Sequence, residues 1–296
     1  SIAHVQIPLD LLRTLDAVVA TGSLDAAASS LHITPSAVSQ RLKVLETRVG
    51  RVLLVRAKPA RPTAAGEVVL RLARQLHTAE LDALAALGLT EGGPVEVPLA
   101  VNADSLATWF LPALAPLAGE IVFDLHRDDQ DYTAALLESG TVSAAVTSQA
   151  RPVPGCAARP LGSMRYVAVA APGFVETWFV DGAPASAFTR TPLVDFDRRD
   201  DLQGRYLAAI GADPQTPPRH YVPASNDFAT AVLLGMGWAL LPEQQATAPL
   251  ADGRLVGLGG PPIDVPLYWQ RWKLDSPLLA RIEDAVVAAA RTALRH

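Results

Sequence analysis

Between Thr34 and Val49, side chains able to make hydrogen bonds recur at a spacing that gathers them on one side of a helix. Projected at about 100° per residue, Ser36, Ser39, Gln40, Lys43 and Thr47 share one face, and Arg41 sits on its flank. Val38, Leu42, Leu45 and Val49 crowd into a sector of about 60° on the opposite face. Short hydroxyls, an amide and an ammonium group are the chemistry that a DNA major groove accepts. Gln pairs two-pronged with adenine, Lys donates to guanine or phosphate, and Ser reaches base edges or backbone. A solvated helix face carries the same residue types, so the face alone leaves both readings open.

The elements needed to hold this face can be read on either side of it. Thr34 is a helix cap and Pro35 suits the first helical position, while Gly50 ends the helix. Upstream, Pro8 and Asp10 start a helix with Leu12, Leu15 and Val19 on one face, and Gly22 stops it. Ser23 then caps a short alanine-rich helix through Leu31. Two helices joined by a short turn, the second bearing the polar face, make a helix-turn-helix. Downstream, Val52 to Arg56 reads as a strand, followed by the proline-pinned loop Ala57 to Pro62. That combination is a winged helix, with Arg56, Lys58 and Arg61 placed to neutralise phosphates.

From Thr63 to about Leu87 the chain reads as one long helix. Val69, Leu72, Leu76, Ala79, Ala83 and Ala86 alternate spacings of three and four, the seam of a coiled coil. Gly88 and Gly92-Gly93-Pro94 break it. Strand-like and helical runs then alternate: Val95 to Val101, Ser105 to Leu117, Ile121 to Leu125, Asp131 to Ser139 and Val142 to Val146. Arg165 to Ala170 begins a second series, with a strand ending near Pro223, a helix from Ser225 and a strand at Trp238 to Leu241. The last helix runs from about Ser276 to Leu294. Alternation of this kind implies parallel sheets covered by helices.

Composition is consistent with two jobs. The 296 residues are 50% hydrophobic and 19% charged, which excludes disorder as a description of the whole chain. Residues 1–90 hold ten Lys and Arg against seven Asp and Glu; the rest hold fifteen against twenty-three. The basic end suits phosphates. The longest charge-free runs, Ser105 to Gly119 and Phe228 to Pro242, are each 15 residues, too short for the roughly 20 that span a bilayer. With no basic, apolar leader at Ser1 to Gln6, the expected location is the cytoplasm. A single cysteine, Cys156, excludes an intramolecular disulfide and reads as structural.

Ser23 to Ala28, Ser36 to Glu46, Gly50, Leu53 to Arg56 and Thr63 to Gly66 together resemble the N-terminal domain of LysR-type transcriptional regulators. Gly235-Met236-Gly237-Trp238-Ala239-Leu240-Leu241-Pro242-Glu243 resembles a segment in the second lobe of their effector domain. Lys58 to Thr63, Val101 to Phe110, Pro152 to Cys156 and Pro266 to Ser276 resemble the ArgP/LysG branch, nearest its actinobacterial LysG type. The resemblance implies an α/β effector domain, two-lobed and periplasmic-binding-protein-like, behind an N-terminal winged helix-turn-helix and a linker helix. The corresponding division is 1–63 for DNA binding, 64–91 for the linker and dimerisation helix, and 92–296 for the effector domain. Lobe I takes about 92–164 and 265–296, and lobe II about 165–264. It further implies activation of a basic amino-acid exporter gene by lysine or arginine, and in some members histidine. The partners implied are a double-stranded operator, a homodimer that forms a homotetramer on DNA, and RNA polymerase.

In such folds ligands sit beyond the carboxyl ends of strands, in a crevice between lobes. Those ends carry Asn102, Asp104 and Ser105, then Arg127 to Gln130 with Asp129, then Thr147 and Ser148, and finally Ser225 and Asp227. Ser105 and Ser225 at helix starts suit an α-carboxylate, and Asp104, Asp129 or Asp227 suit an ammonium or guanidinium. The plainer reading of each of these acids taken singly is a helix cap with no ligand involved. Arg165 suits either a carboxylate or a salt bridge between the lobes. No cofactor or metal is expected. The six histidines are scattered, and HExxH, GxSxG, P-loop and GxGxxG patterns are absent, so enzyme readings fare poorly. The alternatives are a LysR-type regulator with another effector, and a solute-binding or enzymatic α/β protein whose helical N-terminus only mediates oligomerisation.

Overall fold

The computed structural model describes residues 6–55, 57–89, 94–127, 130–180 and 182–296. Three helices open the chain: α1 (Leu9–Thr21), α2 (Leu24–Ser30) and α3 (Pro35–Val49). Ser23 and Thr34 cap α2 and α3 through their hydroxyls, accepting from the Ala26 and Ala37 amides. Val38, Leu42 and Leu45 of α3 pack against Leu11, Leu12, Leu15 and Val18 of α1. Each such burial contributes about 1.5–3 kcal/mol, so the apolar stripe fixes which face of α3 is left to solvent.

The expected five-residue strand after α3 is shorter: β1 (Leu54–Val55) pairs antiparallel with β2 (Arg61–Pro62). Arg56 lies outside the described residues. Then α4 (Ala64–Ala86) begins with Thr63 accepting the Gly66 amide. Val69, Leu70 and Ala73 of α4 join the N-terminal core. Val69, expected in the coiled-coil seam, therefore packs within its own chain; Leu72, Leu76, Ala79, Ala83 and Ala86 are exposed.

The remainder is built on a mixed sheet. Parallel strands β3 (Val95–Val101), β4 (Ile121–Arg127) and β5 (Ala144–Thr147) form one end, with β3 in the middle. Residues 103–117 run as one helix in pieces: α5 (Ala103–Ser105), a π turn (Leu106–Phe110), α6 (Leu111–Leu114) and a 3-10 turn (Ala115–Leu117). Between β4 and β5 lies α7 (Gln130–Glu138). The next strand departs from expectation. β6 (Cys156–Ala170) is continuous over 15 residues and begins well before Arg165. From Cys156 to Tyr166 it pairs with β11 (Ile263–Trp272), with a register shift at Leu267/Tyr268 that leaves Leu161 as an extra residue. This bulge, beside Pro160 and Gly162, breaks the alternation by which the first half of β6 could be read. The expected lobe boundary at 164/165 thus falls inside a strand that serves both lobes.

Lobe II follows: α8 (Pro172–Trp178), α9 (Ala185–Phe188), β7 (Leu193–Asp195), α10 (Leu202–Ala209), β8 (Arg219–Tyr221), α11 (Ser225–Leu233), β9 (Ala239–Pro242), α12 (Glu243–Ala251) and β10 (Val256–Gly257). β9 and β10 pair antiparallel with β6, and β7 pairs parallel with β8. Trp238 links β7 to β9, its carbonyl accepting the Val194 amide and its own amide donating to Pro192. Its ring is buried against Phe188 and Tyr206. Finally α13 (Pro277–Ala293) returns to lobe I, burying Leu279, Ile282 and Val286 beside Trp109, Phe110 and Trp269. No helix among the described residues is long and apolar enough to cross a membrane.

Candidate functional site

Two surfaces carry polar side chains in an arrangement that fits binding. The first is the solvent face of α3. Thr34, Pro35, Ser36, Gln40 and Lys43 are exposed and Ser39 is half-buried, while the apolar stripe beneath them is inside. Two hydroxyls at the helix start are partly engaged: Thr34 Oγ1 accepts the Ala37 amide at 3.2 Å and lies 2.9 Å from Ser36 Oγ. Gln40 and Lys43 project one turn further on. Arg41 leans back toward α1, 3.7 Å from Asp10, which fits its place on the flank. Lys58 and Arg61 are exposed on the wing. The wing tip is tied to the α1–α2 turn by the Ala60 amide, which donates to the Gly22 carbonyl at 2.8 Å. Helix face and wing are therefore held in one rigid unit.

The second surface is a crevice of about 420 Å³ between the lobes. That lies within the range of about 300–1,000 Å³ usual for small-molecule sites. Lobe I supplies Asn102 and Asp104 from the β3–α5 turn and Ser148 from the end of β5. Tyr166 of β6 lies between, and lobe II supplies Asp197, Arg199, Asp200, Asp201 and Arg205 from the β7–α10 segment. Among the described residues, four carboxylates and two guanidinium groups line the walls.

These acids are held in distinct ways. Asp104 Oδ2 accepts the Tyr166 hydroxyl at 2.7 Å. Burial pushes the Asp104 carboxyl up from its ordinary range, and hydrogen bonds from Tyr166 and Ser225 draw it partly back. Burial pushes the Tyr166 phenol well up, and the neighbouring Asp104 charge adds to this. Asp200 accepts the Leu202 amide at 3.0 Å and the Phe196 amide at 3.3 Å. Even so, burial lifts it to about 6, with the charges of Asp195 and Asp104 adding to the shift. Asp197 accepts the amides of Arg199 and Asp200, shaping the loop. Behind the wall, Asp195 pairs with Arg219 and the Gln203 amide donates to Val194 at 2.8 Å.

Of the effector-site residues expected from the sequence, Asn102 and Asp104 line the crevice. Ser105, Thr147 and Ser225 are buried and do not line it. Ser225 hydrogen-bonds the crevice acid Asp104 and accepts from Gln245, and Thr147 accepts the Gln149 amide. Asp227 is exposed on α11, because Ser225 and Phe228 take that helix's buried face. Asp129 lies outside the described residues. Arg165 pairs with Asp264, its cross-strand neighbour on β11, at 2.7 Å. Missed were Tyr166, Asp197, Asp200, Asp201 and the two arginines. Their signal was present: acids clustered just past a strand end at Val194-Asp195. A three-residue strand is too short to show periodicity.

The matches to known families divide the chain where the two surfaces divide it. Residues 9–67 match the family described as bacterial regulatory helix-turn-helix protein, lysR family, and residues 96–291 match the LysR substrate binding domain. The chain belongs to the LysR family. It falls in the ArgP/LysG branch, and its members are transcriptional regulators rather than enzymes. A lysine export transcriptional regulatory protein LysG of Corynebacterium efficiens is 46% identical over 96% of this chain and 98% of its own. The crystal structure of ArgP from Mycobacterium tuberculosis superposes with a TM-score of 0.90 at 46% identity, covering 98% of this chain and 99% of the other. Full-length LysG from Corynebacterium glutamicum with bound effector Arg gives 0.78 at 40% identity, over 98% and 100%. LysR-type regulators bind DNA through the helix-turn-helix unit, so the α3 face and the wing are the surfaces to consider for an operator.

Proposed function

We propose that this protein activates a gene for basic amino-acid export in response to lysine or arginine, with histidine as a further effector. The acid-lined crevice carries this reading: Asp104, Asp197, Asp200 and Asp201 outnumber Arg199 and Arg205 on its walls. An excess of carboxylates favours a ligand with a net positive charge, and the two arginines suit its α-carboxylate. The C. glutamicum relative with bound arginine and the export regulator from C. efficiens support the same assignment.

In this reading Ser36, Ser39, Gln40 and Lys43 meet base edges, with Thr34, Pro35 and Arg41 beside them and Arg56, Lys58 and Arg61 on phosphates. Residues 1–63 bind DNA, 64–91 dimerise the chain, and 92–296 bind the effector. A homodimer through α4 pairs on DNA as a tetramer and meets RNA polymerase there. Ligand alters transcription by favouring one arrangement of the lobes over another.

The test is calorimetry on the full chain with lysine, arginine, histidine and glutamate, alongside operator footprinting with each. Heat and an altered footprint are expected with the basic amino acids. Binding of glutamate alone would overturn the effector assignment and leave the regulator standing.

A further inference from the structure

Helix α4 is expected to join two units, yet in the structure it is bound to both. On one side Arg13 of α1 reaches Glu80 at 2.6 Å. On the other, the Asp82 carboxylate accepts the Leu278 amide at the start of α13, at 3.2 Å. Between them Arg74 is shared: its Nε donates to Asp16 of α1 at 2.8 Å and its Nη1 to the Gly140 carbonyl at 2.9 Å. Arg71, one turn earlier, donates to the Pro154 carbonyl at 2.7 Å.

Two glycines of lobe I form the seat for Arg71. A Cβ on Gly140 would lie 2.7 Å from Arg71 Cα, and one on Gly155 would lie 2.5 Å from Arg71 Nη2. Both have φ in the left-handed region, +74° and +79°, where side chains are rarely tolerated. The first allows the backbones to approach and the second clears room for the guanidinium.

The carbonyls gripped are also well placed. Gly140 leads into β5, whose end presents Ser148 to the crevice. Pro154 leads into β6, which presents Tyr166. We propose that Arg71 and Arg74 form a latch that locks the DNA-binding unit to lobe I, so that movement of lobe I about a ligand carries the DNA-binding unit with it. Rupture of the latch leaves α4 attached to the N-terminal core by Val69, Leu70 and Ala73 and loosens its remaining bond to lobe I, from the Leu278 amide to Asp82. The transmitting role rests on the ligand-responsive reading above; the mechanical latch does not.

The experiment compares the full-length chain with Arg71→Ala/Arg74→Ala and with the milder Arg74→Lys. Lysine can keep the Asp16 pair but lacks the second donor arm for Gly140. Hydrogen exchange without ligand is expected to speed up at residues 139–142, 152–156 and, at a distance from both arginines, at Leu278. Strands β3 and β11 should be unchanged. Exchange at Leu278 as slow as in the unaltered chain would overturn the latch.

With L-arginine as probe, the double variant should bind it, and operator DNA, within about threefold of the unaltered chain. Its operator footprint should no longer change on adding arginine. A full footprint response in the double variant would overturn the transmitting role. Should the unaltered chain itself fail to respond to arginine, the effector reading falls and the transmitting role with it, while the exchange result still decides the latch. If the double variant does not fold, Arg74→Lys decides both questions.

Discussion

The Tyr166 hydroxyl donates to Asp104 Oδ2 at 2.7 Å, joining the strand shared by both lobes to the turn that opens the first helix of lobe I. Removing that donor leaves a crowded carboxylate with one fewer partner. Tyr166→Phe is therefore expected to lower stability by about 1–3 kcal/mol in denaturant titration, the usual cost of a lost buried hydrogen bond. It should also weaken a cationic ligand, because Asp104 is harder to ionise without the phenol. Unchanged stability and affinity together would show that Asp104 is satisfied by other means.

Asp200 gives the crevice a pH dependence. Its pKa of about 6 lies above the ordinary 3.8, so in the folded chain it picks up a proton as pH falls through 6. A cationic ligand needs the ionised form. Arginine affinity should be flat above about pH 7 and fall by up to about tenfold per unit below 6, from this group alone. Asp200→Asn should bind weakly at pH 7.5 and lose this dependence. Stability moves the other way: the raised pKa means that protonating Asp200 between pH 6 and 4 relieves a burial penalty. Calorimetry across pH 5–8 separates the two.

Gln40 and Arg61 should fail differently. Gln40→Ala is expected to relax base preference by about 1–3 kcal/mol at one operator position, the worth of a two-pronged contact. Arg61→Ala should weaken all sequences alike and reduce the salt slope by about one unit. Binding to an operator series at several salt concentrations distinguishes base reading from phosphate contact. An unaltered ranking of operators in Gln40→Ala would remove its base-reading role.

The exposed stripe of α4 should hold two copies together. Leu72 is 40% and Leu76 38% exposed, on the side of α4 left open by the N-terminal core. Leu72→Asp with Leu76→Asp should shift light scattering toward a monomer, since two charges in an apolar seam are not paired. A dimer of unchanged mass would place the interface elsewhere. Val69→Asp is expected to unfold the N-terminal unit instead, because Val69 belongs to its core.

Local signals carried the N-terminal unit. Caps at Ser23, Thr34 and Thr63, proline at a first helical position and the Val38/Leu42/Leu45 stripe are readable in the chain because each acts within a few residues of itself. They determined the helix-turn-helix and which face of α3 is polar. The same periodicity marked the α4 seam but could not say that Val69 would be claimed by the core beside it. The run of alternating elements likewise determined an α/β effector half, and the strand-end rule led to Asn102 and Asp104.

What only the tertiary structure decided is the company each residue keeps. Asp104 on α5, Tyr166 on β6 and Asp200 in the loop before α10 lie far apart in the chain, and no local pattern joins them. Nor does sequence reveal that β6 runs unbroken through both lobes, since a bulge at Leu161 disguises its first half. Ser105 and Asp227 read alike as residues at a helix start, yet one is buried and the other exposed. Periodicity says which side of an element is apolar; only packing says what that side meets, because burial is settled by the sum of contacts made from distant parts of the chain.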